Sequence, residues 1–518
     1  PFYPCGLITP EFRVVGVSPA GLPGMIVFRN AHVALGITNA YGDTQDLYVE
    51  TIDPQDPGHY LEGDQSIPFN VIEEILTIKD KKAAGGFKEQ KIKIRLTKRG
   101  PVISGIFSNL KTDKVLSLRW SLVENMGMKM GLKQLMQATS VGEVREAIKQ
   151  IDYLMLNFTF ADTEGNIGWQ VSGHLPIRSR GDGTVPFVIT DSGDNWTGWV
   201  PFNEMPQLHN PERGWIGTCN HNAIPNDYPY YYSSHLAPSY RYRRLKQLLD
   251  PQRLKTIDDH WQFQRDTFNL MAKYIAPLMA RALVAYEDTR RLGEIVSRWD
   301  YHDDPDKSAP TIFQAVYRQF ALLVFADDLG EDLAKTMLDN WYFWQERLGK
   351  MVAEGNSAWF DNVKTADIKE SRDDLFHQAA LAAAADLESR LGKDPAKWLW
   401  EKVHRIEFVS PVRREGFGKG LVGGGSHPAL GSVETLGRCI YGFNDPFDVT
   451  VFASLRMVAD LGDPDKVLAV LPGGVSGRLF DKHIKDQIES FINGNKLYWW
   501  FSDAAIKAHN HNTLILKP

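Results

Sequence analysis

Gly36-Ile37-Thr38-Asn39-Ala40-Tyr41-Gly42-Asp43-Thr44-Gln45-Asp46-Leu47-Tyr48 reads as a strand that enters a turn and a second strand that leaves it. Two carboxylates, Asp43 and Asp46, stand three apart with the Gln45 carbonyl between them. Mixed carboxylate and carbonyl oxygens suit a hard cation such as calcium. On spacing alone, the same aspartates read first as turn formers with no metal at all.

Strand and turn signals continue on both sides of this segment. Upstream, the short apolar runs 14–17 and 25–28 are separated by Gly21-Leu22-Pro23-Gly24. Downstream, residues 91–96 alternate basic and apolar side chains, as a half-buried strand does. A short helix is expected near 141–150. Residues 154–161, a turn at 162–166 and a second strand at 167–171 make a hairpin. Residues 172–226 are rich in Gly, Pro, Asp and Asn and read as a long ordered loop region. Residues 239–405 read as mainly helical, with Thr256 and Asp259 placed as a capping box before a helix over 257–283 and an Ala-rich run at 379–385. Strand signals return over 407–470, and a short helix is expected at 483–492. Strands at both ends around a helical middle imply an α+β sandwich closed by its own termini. The chain is then one domain over 1–518, with 239–405 as a helical insertion.

Composition narrows the function classes. The 518 residues are 43% hydrophobic and 24% charged, with net charge −6, so nothing electrostatic favours nucleic acid or an anionic membrane. The basic clusters Arg241, Arg243, Arg244 and Lys79, Lys81, Lys82 are short enough to be solvated faces. No apolar run reaches the roughly 18 to 20 residues of a membrane span. The start, Pro1-Phe2-Tyr3-Pro4-Cys5, has neither the charged nor the apolar region of a signal peptide, and lacks Met, which implies a processed or truncated product. Cys5, Cys219 and Cys439 make no zinc pattern or disulfide framework, though one disulfide can form.

The common catalytic signatures are absent: no G-x-S-x-G elbow, no H-E-x-x-H and no phosphate loop. The glycines at 423–425 lack the strand-to-helix context of a dinucleotide site, and no organic cofactor is expected. A second segment carries chemistry, however. Gly214-Trp215-Ile216-Gly217-Thr218-Cys219-Asn220-His221-Asn222 ends in two amides and an imidazole. Amide donors stabilise oxyanions in acyl transfer, and they also cap turns.

These segments, with Arg99-Gly100-Pro101, Arg119-Trp120, Asp162-x-x-Gly165-Asn166-Ile167-Gly168, Tyr228-Pro229, Arg241, Leu455-Arg456-Met457-Val458-x-Asp460 and Gly474-x-Ser476-Gly477, stand in the order found in penicillin acylases. The chain resembles their large subunit over nearly its whole length. That resemblance implies the four-layer αββα fold of N-terminal-nucleophile hydrolases, a precursor that cuts itself into two subunits, a small-subunit partner, and a periplasmic or secreted enzyme. It implies hydrolysis of an amide between an apolar acyl group and a polar amine, such as a β-lactam antibiotic or an acyl-homoserine lactone.

Residue by residue, the resemblance implies oxyanion donors at the Asn39 backbone amide and the side chain of Asn222, with Asn220 as the second choice. It implies an orienting role for Arg241, an acyl pocket lined by Val27, Ile37 and Tyr41, and part of a structural calcium site at Asp43, Gln45 and Asp46. Departures are visible. Tyr230, Tyr231 and Tyr232 stand where a further calcium carboxylate is expected, Arg99 replaces a usual His, and Arg478-Leu479-Phe480 replaces a Ser-Pro-His run. The family's nucleophile is an N-terminal serine about thirty residues before the point matching Pro1, its own α-amine acting as base. Pro1 has no hydroxyl. The expectation is therefore a serine on a segment absent from this chain, against an inactive or truncated relative that retains a ligand pocket.

Overall fold

The computed structural model describes residues 2–106, 112–125, 127, 129–250, 255–410, 422–478 and 480–517. Pro1, Leu421 and Leu479, with the 411–421 part of the expected strand region, lie outside the described residues.

Seven antiparallel strands form the largest sheet, in the order Phe2–Ile8, Arg13–Pro19, Val27–Asn30, Val33–Asn39, Leu156–Asp162, Ile167–Val171 and Gln207–His209. Side chains alternate between its two faces. Val14, Phe28, Val33, Leu35, Phe158 and Phe160 pack against the helices Leu132–Gln137 and Val141–Ile148. Val15 points the other way, onto Val467 and Phe501. Gly16, next in the strand and paired with Phe28, has no room for a side chain, because a Cβ would lie 2.2 Å from the Val27 carbonyl oxygen.

Val467 belongs to a second sheet of Arg456–Ala459, Val467–Val470 and Leu497–Tyr498. Buried Arg29 ties the two sheets together, its Nη1 donating to the Asp460 and Asp463 carbonyls at 3.3 and 3.4 Å. Leu468 and Val470 turn to the far face and pack with Trp261, Ile488 and Phe491, carried by the helices Ile257–Phe263 and Ile488–Asn493. Helices, sheet, sheet and helices follow one another. The α+β class is the one the sequence pattern implied, and the four-layer order is the one the resemblance implied.

Other strands lie outside these two sheets. Gln45–Glu50 and Val115–Trp120 pair in a separate sheet with Phe187–Val188. Asn70–Lys79 and Phe87–Thr97 form a long hairpin whose side chains are mostly exposed. Val71, Ile72, Ile75, Leu76 and Phe87 are among its exposed side chains. Arg405–Phe408, Gly425–Pro428, Cys439–Tyr441 and Val449–Phe452 make a further four-stranded sheet.

Residues 239–405 are mainly helical and build a core around Phe313, Tyr317, Trp344, Phe376 and Trp400, which Val433, Tyr441, Phe443 and Phe447 join. Thr256 and Asp259 form the expected capping box. The helix expected over 257–283 is two helices, because Asn269 caps a new start, accepting from the Ala272 amide at 2.9 Å ahead of Leu270–Val284. The helix expected at 483–492 is shorter, running Ile488–Asn493. No helix among the described residues is long and apolar enough to cross a membrane. The three cysteines are free thiols, so the disulfide left open by the sequence does not form.

Candidate functional site

Asn39 is the last residue of its strand, opposite Leu156. The chain turns there at once: the Asn39 Oδ1 accepts the Tyr41 amide at 3.0 Å, and Tyr41 takes a left-handed φ of 53°. The Asn39 carbonyl accepts Nδ2 of Asn220 at 2.9 Å and Nδ2 of Asn157 at 3.2 Å. Trp169 Nε1 donates to the Asn157 Oδ1 at 2.9 Å and fixes which way that amide faces. Beside it the Thr38 and Thr218 hydroxyls meet at 2.8 Å. A strand end and a distant loop are thereby locked together.

Asn220 itself is left-handed, with φ 61°, a conformation Asn tolerates better than most residues. Its Oδ1 accepts Nη2 of Arg241 at 3.1 Å, and the same Nη2 donates to the Cys219 carbonyl at 2.6 Å. A guanidinium offers only donors, so Oδ1 must face Arg241 and the amide N–H groups must face Asn39. Arg241 lies buried near the start of helix Tyr240–Leu249. Burial, with Arg438 nearby, holds its pKa below the usual arginine range. Glu434 is buried close by. Desolvation pushes its carboxyl up to about 7 against the pull of Arg241 and Arg438.

Asn222, the first choice of oxyanion donor by the resemblance, stands outside this hydrogen-bonded cluster. Its Oδ1 accepts the Ile224 amide at 3.0 Å, closing a local turn. The three residues that the resemblance places in an acyl pocket have these surroundings. Val27 lines a cavity of about 740 Å³ with Gly36, Thr159, Gly168, Trp215 and Met457. Ile37 packs instead with the helix-side core, and the Tyr41 ring meets His235 and Tyr342 at 5.5 and 5.4 Å. Period-two alternation accounts for Ile37, since it shares a face with Val33 and Leu35.

Asp43, Gln45 and Asp46 do not fit a calcium site as they stand. Arg178 occupies the carboxylates: Nε reaches Asp46 Oδ2 at 2.8 Å, Nη2 reaches Asp46 Oδ1 at 3.0 Å, and Nη2 lies 3.5 Å from Asp43 Oδ1. Arg178 thus already sets one positive charge against the two carboxylates. Among the described residues no group of three His, Cys, Asp or Glu side chains converges to hold a metal.

His221 stacks on Tyr242, ring centroids 3.7 Å apart. Burial, then Arg241 and Arg213, lower its pKa to about 4. The fold prefers the neutral imidazole, so its contribution is complete above the unfolded value near 6.5 and is lost as pH falls towards 4. His221→Phe keeps the stack and removes the titration. Its thermal midpoint is expected to fall less than wild type between pH 7 and pH 4, and parallel profiles would contradict this assignment.

Arg178, Asn157 and Thr38 were not picked out in the sequence. Arg178 is 132 positions from Asp46, and no local pattern links them. Asn157 and Thr38 read only as strand residues.

The family model described as penicillin amidase matches residues 1–508. An acyl-homoserine lactone acylase, QuiP, of Pseudomonas aeruginosa PAO1 is 26% identical, covering 98% of this chain and 64% of that protein. The penicillin acylase 2 proenzyme of Pseudomonas sp. SE83 is 25% identical, over 92% of this chain and 60% of its own length. The chain thus spans about three-fifths of these relatives. Among solved structures, a thermostable penicillin G acylase from Alcaligenes faecalis aligns with TM-score 0.73 at 18% identity, over 100% of this chain and 94% of that one. The last likeness is one of fold.

Proposed function

This chain belongs to the penicillin amidase family, and from that membership we propose that it is the larger part of an amide hydrolase. The reaction separates an apolar acyl group from a polar amine. The observation that carries the reading is the amide of Asn220, turned by Arg241 so that its N–H groups face the end of the Asn39 strand. One N–H is bonded to the Asn39 carbonyl. The other is available to an oxygen that becomes negative when a nucleophile adds to the substrate carbonyl. The Asn39 backbone amide is the second donor in this reading.

The nucleophile is placed on a serine outside these residues. The thiols present are poor substitutes: burial raises the pKa of both Cys5 and Cys219, which disfavours the thiolate. A serine whose own α-amine takes the hydroxyl proton completes the chemistry. The hydroxyl oxygen bonds to the carbonyl carbon, the proton passes through the amine to the leaving nitrogen, and the C–N bond breaks. Water then releases the acid from the acyl-serine by the same route in reverse order.

The cavity beside Val27, Trp215 and Met457 is of a size that small-molecule sites use, and its lining joins apolar side chains, which suit an apolar acyl group, to the polar Arg213, Asp250, Lys255 and His260. Relatives named for acyl-homoserine lactones and for penicillin make these two amide classes the substrates to test. A small-subunit partner from the same precursor, self-cleavage, and export to the periplasm or beyond belong to the same proposal. The experiment is to produce the complete precursor and follow amine release from both classes. Hydrolysis of either supports the reading. A folded, processed protein that hydrolyses neither would instead be a relative that keeps only the pocket.

A further inference from the structure

The aspartate pair at 43 and 46 is built into more than a turn. Asp46 lies on Gln45–Glu50 and is buried, and two separate strands bring donors to it. Arg178 ends the strand Pro176–Arg178, and Trp196 begins its partner Trp196–Trp199, with the two residues paired beside an irregularity in register. That irregularity sets both side chains on the same carboxylate, since Trp196 Nε1 also donates to Asp46 Oδ2. Arg178 Nη2 reaches further, to the Asp43 carbonyl at 3.3 Å. Gly183, with φ 81°, closes over the pair; a Cβ there would lie 2.3 Å from Asp46 Oδ1 and 2.9 Å from Arg178 Nε. The guanidinium carbon stands 5.6 Å from the centroid of the Tyr231 ring.

Each feature replaces something a divalent cation would need. Calcium takes six to eight oxygens. Here both Asp46 oxygens are engaged by N–H donors, an aromatic face covers the cation, and a tyrosine stands where the resemblance called for a carboxylate. A guanidinium matches a carboxylate in two parallel hydrogen bonds and keeps its charge at every relevant pH. We propose that Arg178 is a built-in replacement for the family's structural metal, pinning the segment 39–46 to the strand at 176–178 without calcium. The candidate oxyanion strand would then be held by a residue that no chelator can remove.

The test uses the complete mature protein and needs no turnover, so it fails or succeeds independently of the hydrolase reading. The thermal midpoint of wild type is expected to be the same in chelator and in millimolar calcium. Arg178→Ala strands a buried carboxylate and is expected to lower the midpoint by about 3–5 °C for a chain of this size. Adding Asp46→Asn to Arg178→Ala removes that charge and is expected to recover part of the loss. Should Arg178→Ala fail to fold, the wild-type comparison and the double variant still decide. A wild-type midpoint that chelator lowers and calcium restores, with Asp46→Asn abolishing the response, would overturn the proposal.

Discussion

Asn220→Ala lowers kcat by about 10²–10³, equivalent to roughly 2.7–4 kcal/mol of transition-state stabilisation. The ground-state carbonyl of an amide gains little from a donor that a developing oxyanion needs, so KM changes far less. The geometry makes the amide effective in advance. Arg241 holds Oδ1 at 3.1 Å, and the Asn39 carbonyl takes one N–H at 2.9 Å, so the remaining N–H does not reorient as charge develops. Asn222→Ala removes a turn contact to Ile224 and leaves kcat within about twofold. Steady-state kinetics of the two variants on one hydrolysed amide check the assignment. A collapse in Asn222→Ala with near-wild-type turnover in Asn220→Ala would return the oxyanion donor to position 222.

Arg99→Met is expected to destabilise the protein by about 3–5 kcal/mol. Arg99 is 2% exposed and serves two carboxylates. Nη1 donates to Glu50 at 3.1 Å and to Glu62 at 2.6 Å, Nη2 to Glu62 at 3.0 Å, and Nε to the Asp194 carbonyl at 2.9 Å. The cost comes from what remains rather than from the bonds lost. Glu62 keeps Lys98 at 2.7 Å, but Glu50 keeps only the hydroxyls of Ser117 and Thr97. A buried carboxylate without a cation is the expensive species. Adding Glu50→Gln to Arg99→Met should therefore recover much of the loss. Denaturant unfolding of the three proteins measures this, and a loss under about 1 kcal/mol in Arg99→Met would show the charge to be solvated.

What the sequence made legible was local. Gly and Pro punctuation marked the strand ends around Gly21–Gly24, and Thr256 with Asp259 announced a helix start, because turn and cap chemistry acts over three or four residues. The choice between Asn220 and Asn222 was not local. It depends on a left-handed φ at 220 and on an arginine one helix away, so two amides two positions apart look alike in sequence. The surroundings of Ile37 were hidden for a different reason. Alternation was available to read, but which sheet face meets the helices is decided by Leu135, Val144 and Ile148 across the core. Asp43 and Asp46 read as metal ligands because their spacing carries no information about Arg178, which completes the ion pair from another sheet. Strand partners escaped for the same reason: pattern reveals a strand but not its neighbour.

The most direct test of the central claim is to locate the acyl group. The complete processed protein is mixed with an apolar N-acyl amide, quenched during turnover, digested, and searched by mass spectrometry for an acylated peptide. The account predicts amine release together with one adduct, on an N-terminal serine outside residues 1–518, and an adduct that fails to accumulate in Asn220→Ala. An adduct on a residue within 1–518, such as the half-buried Cys5, would contradict it.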